Sequence, residues 1–124
     1  MPLPTFAKDS VAVITGGAAG IGLAAAVRFV RLGLRVCIAD LGEDRLAQGA
    51  DVIAAAAPEG ASGVMTMQAD VSRVEEVQRL EQAVRERFGG TDVLMNNAGI
   101  QPGSAMFGPA SDWERVISVN LWGV

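Results

Sequence analysis

Four glycines fall within the eight residues Thr15-Gly16-Gly17-Ala18-Ala19-Gly20-Ile21-Gly22. A turn free of side chains lets backbone approach a pyrophosphate. A helix opening directly after it adds free N–H groups and the positive end of its dipole. The spacing is GxxxGxG rather than the commoner GxGxxG fingerprint. A plainer reading is a tight turn whose small residues let a helix pack closely on a strand. The β-branched run before it and the alanine-rich stretch after it favour nucleotide binding. Gly16, Ala19, Gly20, Ile21 and Gly22 are the candidate phosphate-binding positions.

Further along, Asp40 stands eighteen residues after Gly22. A carboxylate there can accept hydrogen bonds from ribose hydroxyls and repel a 2′-phosphate. No cation lies among Gly17, Ala18 and Ala19 to offset that charge, so NAD is expected over NADP. The alternative is an acid that only caps or solvates a loop. Asp70-Val71 offers a carboxylate for an exocyclic amine and an apolar side chain for a ring. An Asp ahead of a helix is also an ordinary part of an N-terminal turn. Asn96-Asn97-Ala98-Gly99 sets two carboxamides beside a small-residue turn, where they can satisfy backbone groups across a crevice; an Asn-rich turn of no special role fits equally. Asn120 shares the helical face of Val116 and Ile117. A buried carboxamide there would need partners, by bending the helix and holding a water or as a satisfied core Asn.

The elements that must position these groups are βα units. Residues 10–15 are predicted as a buried strand, residues 21–32 as a helix closed by Gly33, and residues 35–39 as a second strand ending at Asp40. A helix is expected over 43–57, with Leu46, Ala50, Ile53 and Ala57 on one face. Residues 63–68 form a third strand. Ser72-x-x-Glu75 resembles a capping box opening a helix whose buried face is Val74, Val77, Leu80, Val84 and Phe88. Residues 92–96 are a fourth strand. Ser111-x-x-Glu114 is a second candidate capping box, starting a helix that carries Trp113, Val116, Ile117, Leu121 and Val124. Apolar runs alternating with helical patterns predict an α/β fold with a parallel sheet.

Composition narrows the function. The chain has 124 residues, half of them hydrophobic, which suits one folded domain rather than a disordered segment. Ten cationic residues against fourteen acidic ones leave no basic excess for nucleic acid or an anionic membrane. There is no transmembrane-length apolar run and no signal-peptide pattern at the N-terminus, so a cytoplasmic location is expected. His and Tyr are absent, Lys8 is the only lysine, and Cys37 is the only cysteine. Histidine triads, His- or Cys-rich metal sites and an internal disulfide are therefore excluded.

Taken in order, Thr15-Gly16-x-x-x-Gly20-Ile21-Gly22, Asp40, Asp70-Val71, Asn96-Asn97-Ala98-Gly99 and Val119-Asn120-Leu121 resemble the short-chain dehydrogenase/reductase family, from Val11 to Val124. The resemblance implies a Rossmann-like doubly wound parallel sheet, seen here through about four βα units of a single, incomplete NAD-binding domain over residues 1–124. It implies an NAD-dependent oxidoreductase transferring hydride between nicotinamide and a small-molecule alcohol or carbonyl substrate. In that family the position of Asp40 marks NAD preference, the Asp70-Val71 pair contacts adenine, and Asn97, with Ala98 and Gly99, lies against the cofactor. Asn120 matches the Asn of an Asn-Ser-Tyr-Lys tetrad. The family's Ser and Tyr-x-x-x-Lys have no counterpart here, and family members are roughly twice as long. The chain alone is accordingly expected to be inactive. A homo-oligomer, dimer or tetramer, is implied, with an open sheet edge at the fourth strand. Residues 101–107 are where a substrate contact would fall, but their composition suggests no particular substrate. A non-catalytic NAD-binding or partner-docking module is the alternative, and an unrelated α/β nucleotide-binding protein is a third.

Overall fold

A computed structural model describes residues 4–100 and 108–124. The expected substrate contact over residues 101–107 lies outside the described residues. The elements follow as β1 (Val11–Thr15), α1 (Gly20–Arg31), β2 (Arg35–Asp40), α2 (Glu43–Ala56), β3 (Val64–Gln68), α3 (Val74–Phe88), β4 (Val93–Met95) and α4 (Ala110–Ile117). Short 3-10 turns occur at Pro4–Phe6 and Gly60–Gly63, so β3 begins one residue later than the apolar pattern suggests.

All strand pairs are parallel, in the order β3-β2-β1-β4. β1 is buried throughout, and its side chains divide by the period of two that a strand imposes. Ala12 and Ile14 pack with Val36 and Ile38 of β2 against Ala26 and Val30 of α1 and Leu46 and Ile53 of α2. Val11 and Val13 face the other way, with Cys37, Ala39 and Met65, against Leu80 and Val84 of α3. A strand covered on both faces must be apolar at every position, which is why β1 and β2 are continuous rather than alternating runs. Ile14, Ile38 and Ile53 have no exposed surface; burying each contributes about 1.5–3 kcal/mol.

β4 is anchored by Asp92, whose carboxylate accepts from the Val11 N–H at 2.8 Å while its own N–H donates to the Val11 carbonyl. The strand lies at the sheet edge with Leu94 58% exposed. Among the described residues β4 is the edge strand, where the open edge was expected.

Both capping boxes are corrected by the structure. α3 begins at Val74 with Arg73 as N-cap and no side-chain cap. The Ser72 hydroxyl donates to Asp70 Oδ1 at 2.6 Å, held two residues back in the turn before the helix, and its oxygen accepts from no N–H of the first turn of α3. Glu76, not Glu75, reaches back, accepting from the Asp70 N–H at 3.2 Å. α4 begins at Ala110 with Pro109 as N-cap, so Ser111 already lies within the helix. Val74 and Val77 are exposed; the buried face of α3 is carried by Leu80 and Val84, opposite β1.

Candidate functional site

β1 and β4 are neighbours although β2 and β3 lie between them in sequence. Their connections leave the sheet in opposite directions, and this reversal opens a crevice beyond the strand C-termini. Thr15, the last residue of β1, bridges it. Its buried hydroxyl oxygen accepts from the N–H groups of Asn97 and Ala98, each at 3.1 Å, so the end of β1 and the loop after β4 form one unit.

The glycine-rich turn rises from that unit. Gly16 and Gly20 have φ of +67° and +57°, a region that side chains with a Cβ rarely adopt. A Cβ at Gly20 would meet no atom within 4 Å, so the turn leaves open space above it. Gly22 is packed instead: a Cβ there would lie 2.5 Å from the Gly16 carbonyl oxygen and 2.6 Å from Asn97 Nδ2. Asn97 Nδ2 donates to that same carbonyl at 3.1 Å. No side chain caps α1, whose N-cap Ala19 is extended. Its first N–H groups and positive dipole end thus face the space over Gly20.

Asp40 closes the β2 side. Its Oδ2 accepts from the Ala18 N–H at 3.1 Å and its Oδ1 from the Leu41 N–H at 2.9 Å. The carboxylate therefore staples the glycine-rich turn as well as facing the crevice. Asp70 makes an Asx-type turn, Oδ1 accepting from both the N–H and the hydroxyl of Ser72.

These groups line a cleft of about 340 Å³ that brings together Gly16, Ala19, Gly20, Asp40, Asp70, Val71, Asn97, Ala98 and Gly99. Its size is at the lower end of small-ligand sites. Gly22, Ile21 and Asn96 are not among the residues lining this cleft. Gly22 sits behind the turn as packing. Ile21, in the first turn of α1, is 76% exposed. Asn96 also turns away, lining an apolar groove with Val13, Leu80 and Leu94.

Asn120 corrects the expectation of a buried carboxamide, for it is exposed. The helix passes from α to π geometry over Ser118–Trp122. Both carboxamide atoms bond one backbone unit, Oδ1 accepting from the Ile100 N–H at 2.8 Å and Nδ2 donating to the Ile100 carbonyl at 2.9 Å. Asn120 thereby ties the π turn that continues α4 to the loop after β4 that carries Asn97, Ala98 and Gly99. Arg45 is the residue the motifs missed. It belongs to none of them, yet it lines the cleft beside Asp40.

The residues present fit a dinucleotide. An uncapped helix N-terminus and open glycine turn suit a pyrophosphate, and a carboxylate at the end of β2 suits a ribose diol. Such a crevice at the switch point of a parallel sheet defines the Rossmann-like class of α/β protein.

Comparison with known proteins narrows this class. The family model for short chain dehydrogenase matches residues 10–124, and the chain belongs to that family. A short chain dehydrogenase/reductase of Macrophomina phaseolina is 41% identical over 116 residues, 90% of this chain and 63% of that protein. The crystal structure of levodione reductase superposes with a TM-score of 0.88 at 34% identity, covering 94% of this chain and 45% of the other. A Burkholderia phymatum short chain dehydrogenase/reductase in complex with NAD gives 0.87 at 38% identity, covering 98% and 42%. An actinorhodin polyketide ketoreductase with NADPH gives 0.85 at 37% identity, covering 94% and 44%. The chain thus spans from under half to under two thirds of the length of these proteins. Among the described residues no helix is long and apolar enough to cross a membrane.

Proposed function

We propose that this chain provides the NAD-binding side of an oxidoreductase that moves hydride between nicotinamide and an alcohol or carbonyl substrate. The observation that carries the reading is that Asp40 lines the same cleft as Gly16, Ala19 and Gly20. The turn and the N-terminus of α1 hold the pyrophosphate. Asp40 accepts from the adenosine ribose and disfavours a 2′-phosphate, which supports NAD over NADP. Val71 packs on adenine and Asp70 takes its exocyclic amine. Asn97, Ala98 and Gly99 flank the ribose nearer the nicotinamide. Bound NAD supplies the hydride acceptor; the chain's own residues bind and orient it.

Reduction or oxidation of a carbonyl oxygen also needs a positioned proton donor or acceptor, worth about 10²–10⁴ in rate. The chain has no tyrosine, and its single lysine, Lys8, lies beside Gly33 at the opposite end of the sheet. These residues alone are therefore proposed to bind NAD without turning over substrate. The same fact supports a second reading, a non-catalytic NAD-binding or docking module. Exposed Trp113, Ile117, Leu121 and Trp122 on the last helix and the open β4 edge support self-association. A cytoplasmic location is part of the proposal. The test is NAD+ reduction with a panel of polyols, hydroxysteroids and hydroxy acids. No turnover is expected from this chain. Robust turnover at NAD-saturating concentrations contradicts the account of its proton-transfer groups.

A further inference from the structure

We propose that a hollow at the N-terminal end of the sheet binds a small carboxylic acid, its apolar body against Leu34 and Pro58 and its carboxylate between Lys8 and Arg31. The hollow encloses about 310 Å³, close to the 340 Å³ of the dinucleotide cleft, and the two share no lining residue. It lies where the last turn of α1 meets the end of α2, so the length of β2 separates it from Asp40. Binding here does not depend on the dinucleotide reading.

The floor is apolar. Val30 and Leu34 are buried, and Ala57 and Pro58 close the side where α2 ends. Gly63 marks the space as unfilled: it is buried, yet a Cβ built on it would meet no atom within 4 Å. Atoms that border such a gap lack the dispersion contacts of a packed neighbour, and an apolar ligand group restores them.

Two cations stand at the rim. Lys8 lays its stem on Gly33, where a Cβ would come 3.3 Å from Lys8 Cγ. The stem is thereby held, and the ammonium is the part left to meet a ligand. Arg31 is the last residue of α1. The ion pairs among the described residues are Arg35–Asp9, Arg73–Glu76 and Arg85–Glu81, and none uses Lys8 or Arg31. Arg35, also in the lining, is engaged elsewhere, 3.9 Å from Asp9 Oδ1 and 5.9 Å from the centre of the Phe88 ring. Glu59 is the one acid among the described lining residues. Lys8 and Arg31 against Glu59 leave a single net positive charge, which suits a monoanion better than a phosphate dianion. The N–H groups of Leu32, Gly33 and Leu34 are already spent on carbonyls of α1, so recognition of the anion falls to the side chains.

The test is titration of the full chain with sodium hexanoate, followed by backbone amide shifts in NMR, with hexanamide and inorganic phosphate as comparison probes. Hexanoate is expected to saturate at millimolar concentration, to shift Gly33, Leu34 and Gly63 rather than Gly16 and Gly20, and to bind equally with NAD+ present. Hexanamide keeps the shape without the charge, and phosphate the charge without the body. Each is expected to bind at least about fivefold more weakly, the size of one charge-assisted contact at a half-open site. Lys8→Met, which keeps the stem on Gly33, and Arg31→Gln each weaken hexanoate about fivefold. Gly63→Leu fills the hollow, keeps both charges and abolishes binding. Arg79→Gln on α3 changes nothing. Circular dichroism checks that each variant is folded; Lys8, Arg31 and Arg79 are exposed. Should Gly63→Leu fail to fold, the two charge variants decide. Absence of saturation by hexanoate, equal binding of hexanamide or phosphate, displacement by NAD+, or binding that Lys8→Met and Arg31→Gln leave unchanged overturns the proposal.

Discussion

Asp40 Oδ2 accepts a hydrogen bond from the Ala18 N–H at 3.1 Å. The residue placed to recognise a ribose therefore also fixes the turn placed to hold the phosphates, and ligand preference and loop order share one carboxylate. Asp40→Asn keeps an oxygen for one of the two backbone donors and is expected to cost about 1 kcal/mol. Asp40→Ala leaves both without it and costs about 1–3 kcal/mol. Both variants should lose NAD+ affinity and gain relative affinity for NADP+. Urea unfolding and paired titrations check this; an unchanged NAD+ to NADP+ ratio contradicts a recognition role.

The two glycines at the mouth of α1 should fail differently. Gly22→Ala drives a methyl into the Gly16 carbonyl and Asn97 Nδ2, and overpacking of this kind costs about 1–3 kcal/mol. Gly20→Ala meets no neighbour and costs only the strain of a positive φ, about 1–2 kcal/mol, yet its methyl enters the space assigned to the pyrophosphate. Gly20→Ala is thus expected to lose more NAD+ affinity per unit of lost stability. Melting curves with and without ligand separate the two effects.

Thr15 holds the crevice together through one oxygen. Thr15→Val keeps the shape but strands the N–H groups of Asn97 and Ala98, at a cost of about 1–3 kcal/mol. Thr15→Ser keeps the acceptor and should recover most of that. Equal stability of the Val and Ser variants in urea contradicts the bridging role.

The architecture was legible because the buried strands β1 and β2 are nearly unbroken apolar runs and α1, α2 and α3 are each followed within two residues by a glycine or proline. The cleft was legible because its residues sit at strand ends, where position in the chain fixes position in space. What escaped depends on competition between partners. Ser72 has the right spacing for a cap but is taken by Asp70, and Glu76 does the work expected of Glu75. Val74 and Val77 lie on the apolar stripe of α3 but stay exposed, Val77 lining an open groove with Val13 and Leu94. Asn120 looks buried by helical periodicity, yet its partner is a backbone unit twenty residues back, which no local pattern reveals. Arg45 carries no motif; only the fold of the β2–α2 turn brings it to Asp40's wall.

Cys37 gives the fold a defined alkaline limit. Burial pushes its thiol from 9.0 up to about 12, opposed weakly by the Arg87 charge. The native state keeps the proton that the unfolded chain releases, so unfolding is favoured as pH rises. The contribution of Cys37 is intact below about pH 9 and is lost progressively toward pH 12. Cys37→Ala should flatten this alkaline decline. Native Cys37 should also resist thiol reagents at pH 8 until urea unfolds the chain. Rapid labelling of the folded protein contradicts its burial.

The most direct measurement is the calorimetric titration of the wild-type chain with NAD+, repeated on Asp40→Ala and Gly20→Ala. The account predicts saturable binding of about one NAD+ per chain, an upward shift of the melting temperature with ligand concentration, and clear weakening in both variants. Absence of binding to a folded wild-type chain, or binding that both variants leave untouched, contradicts the assignment of this cleft.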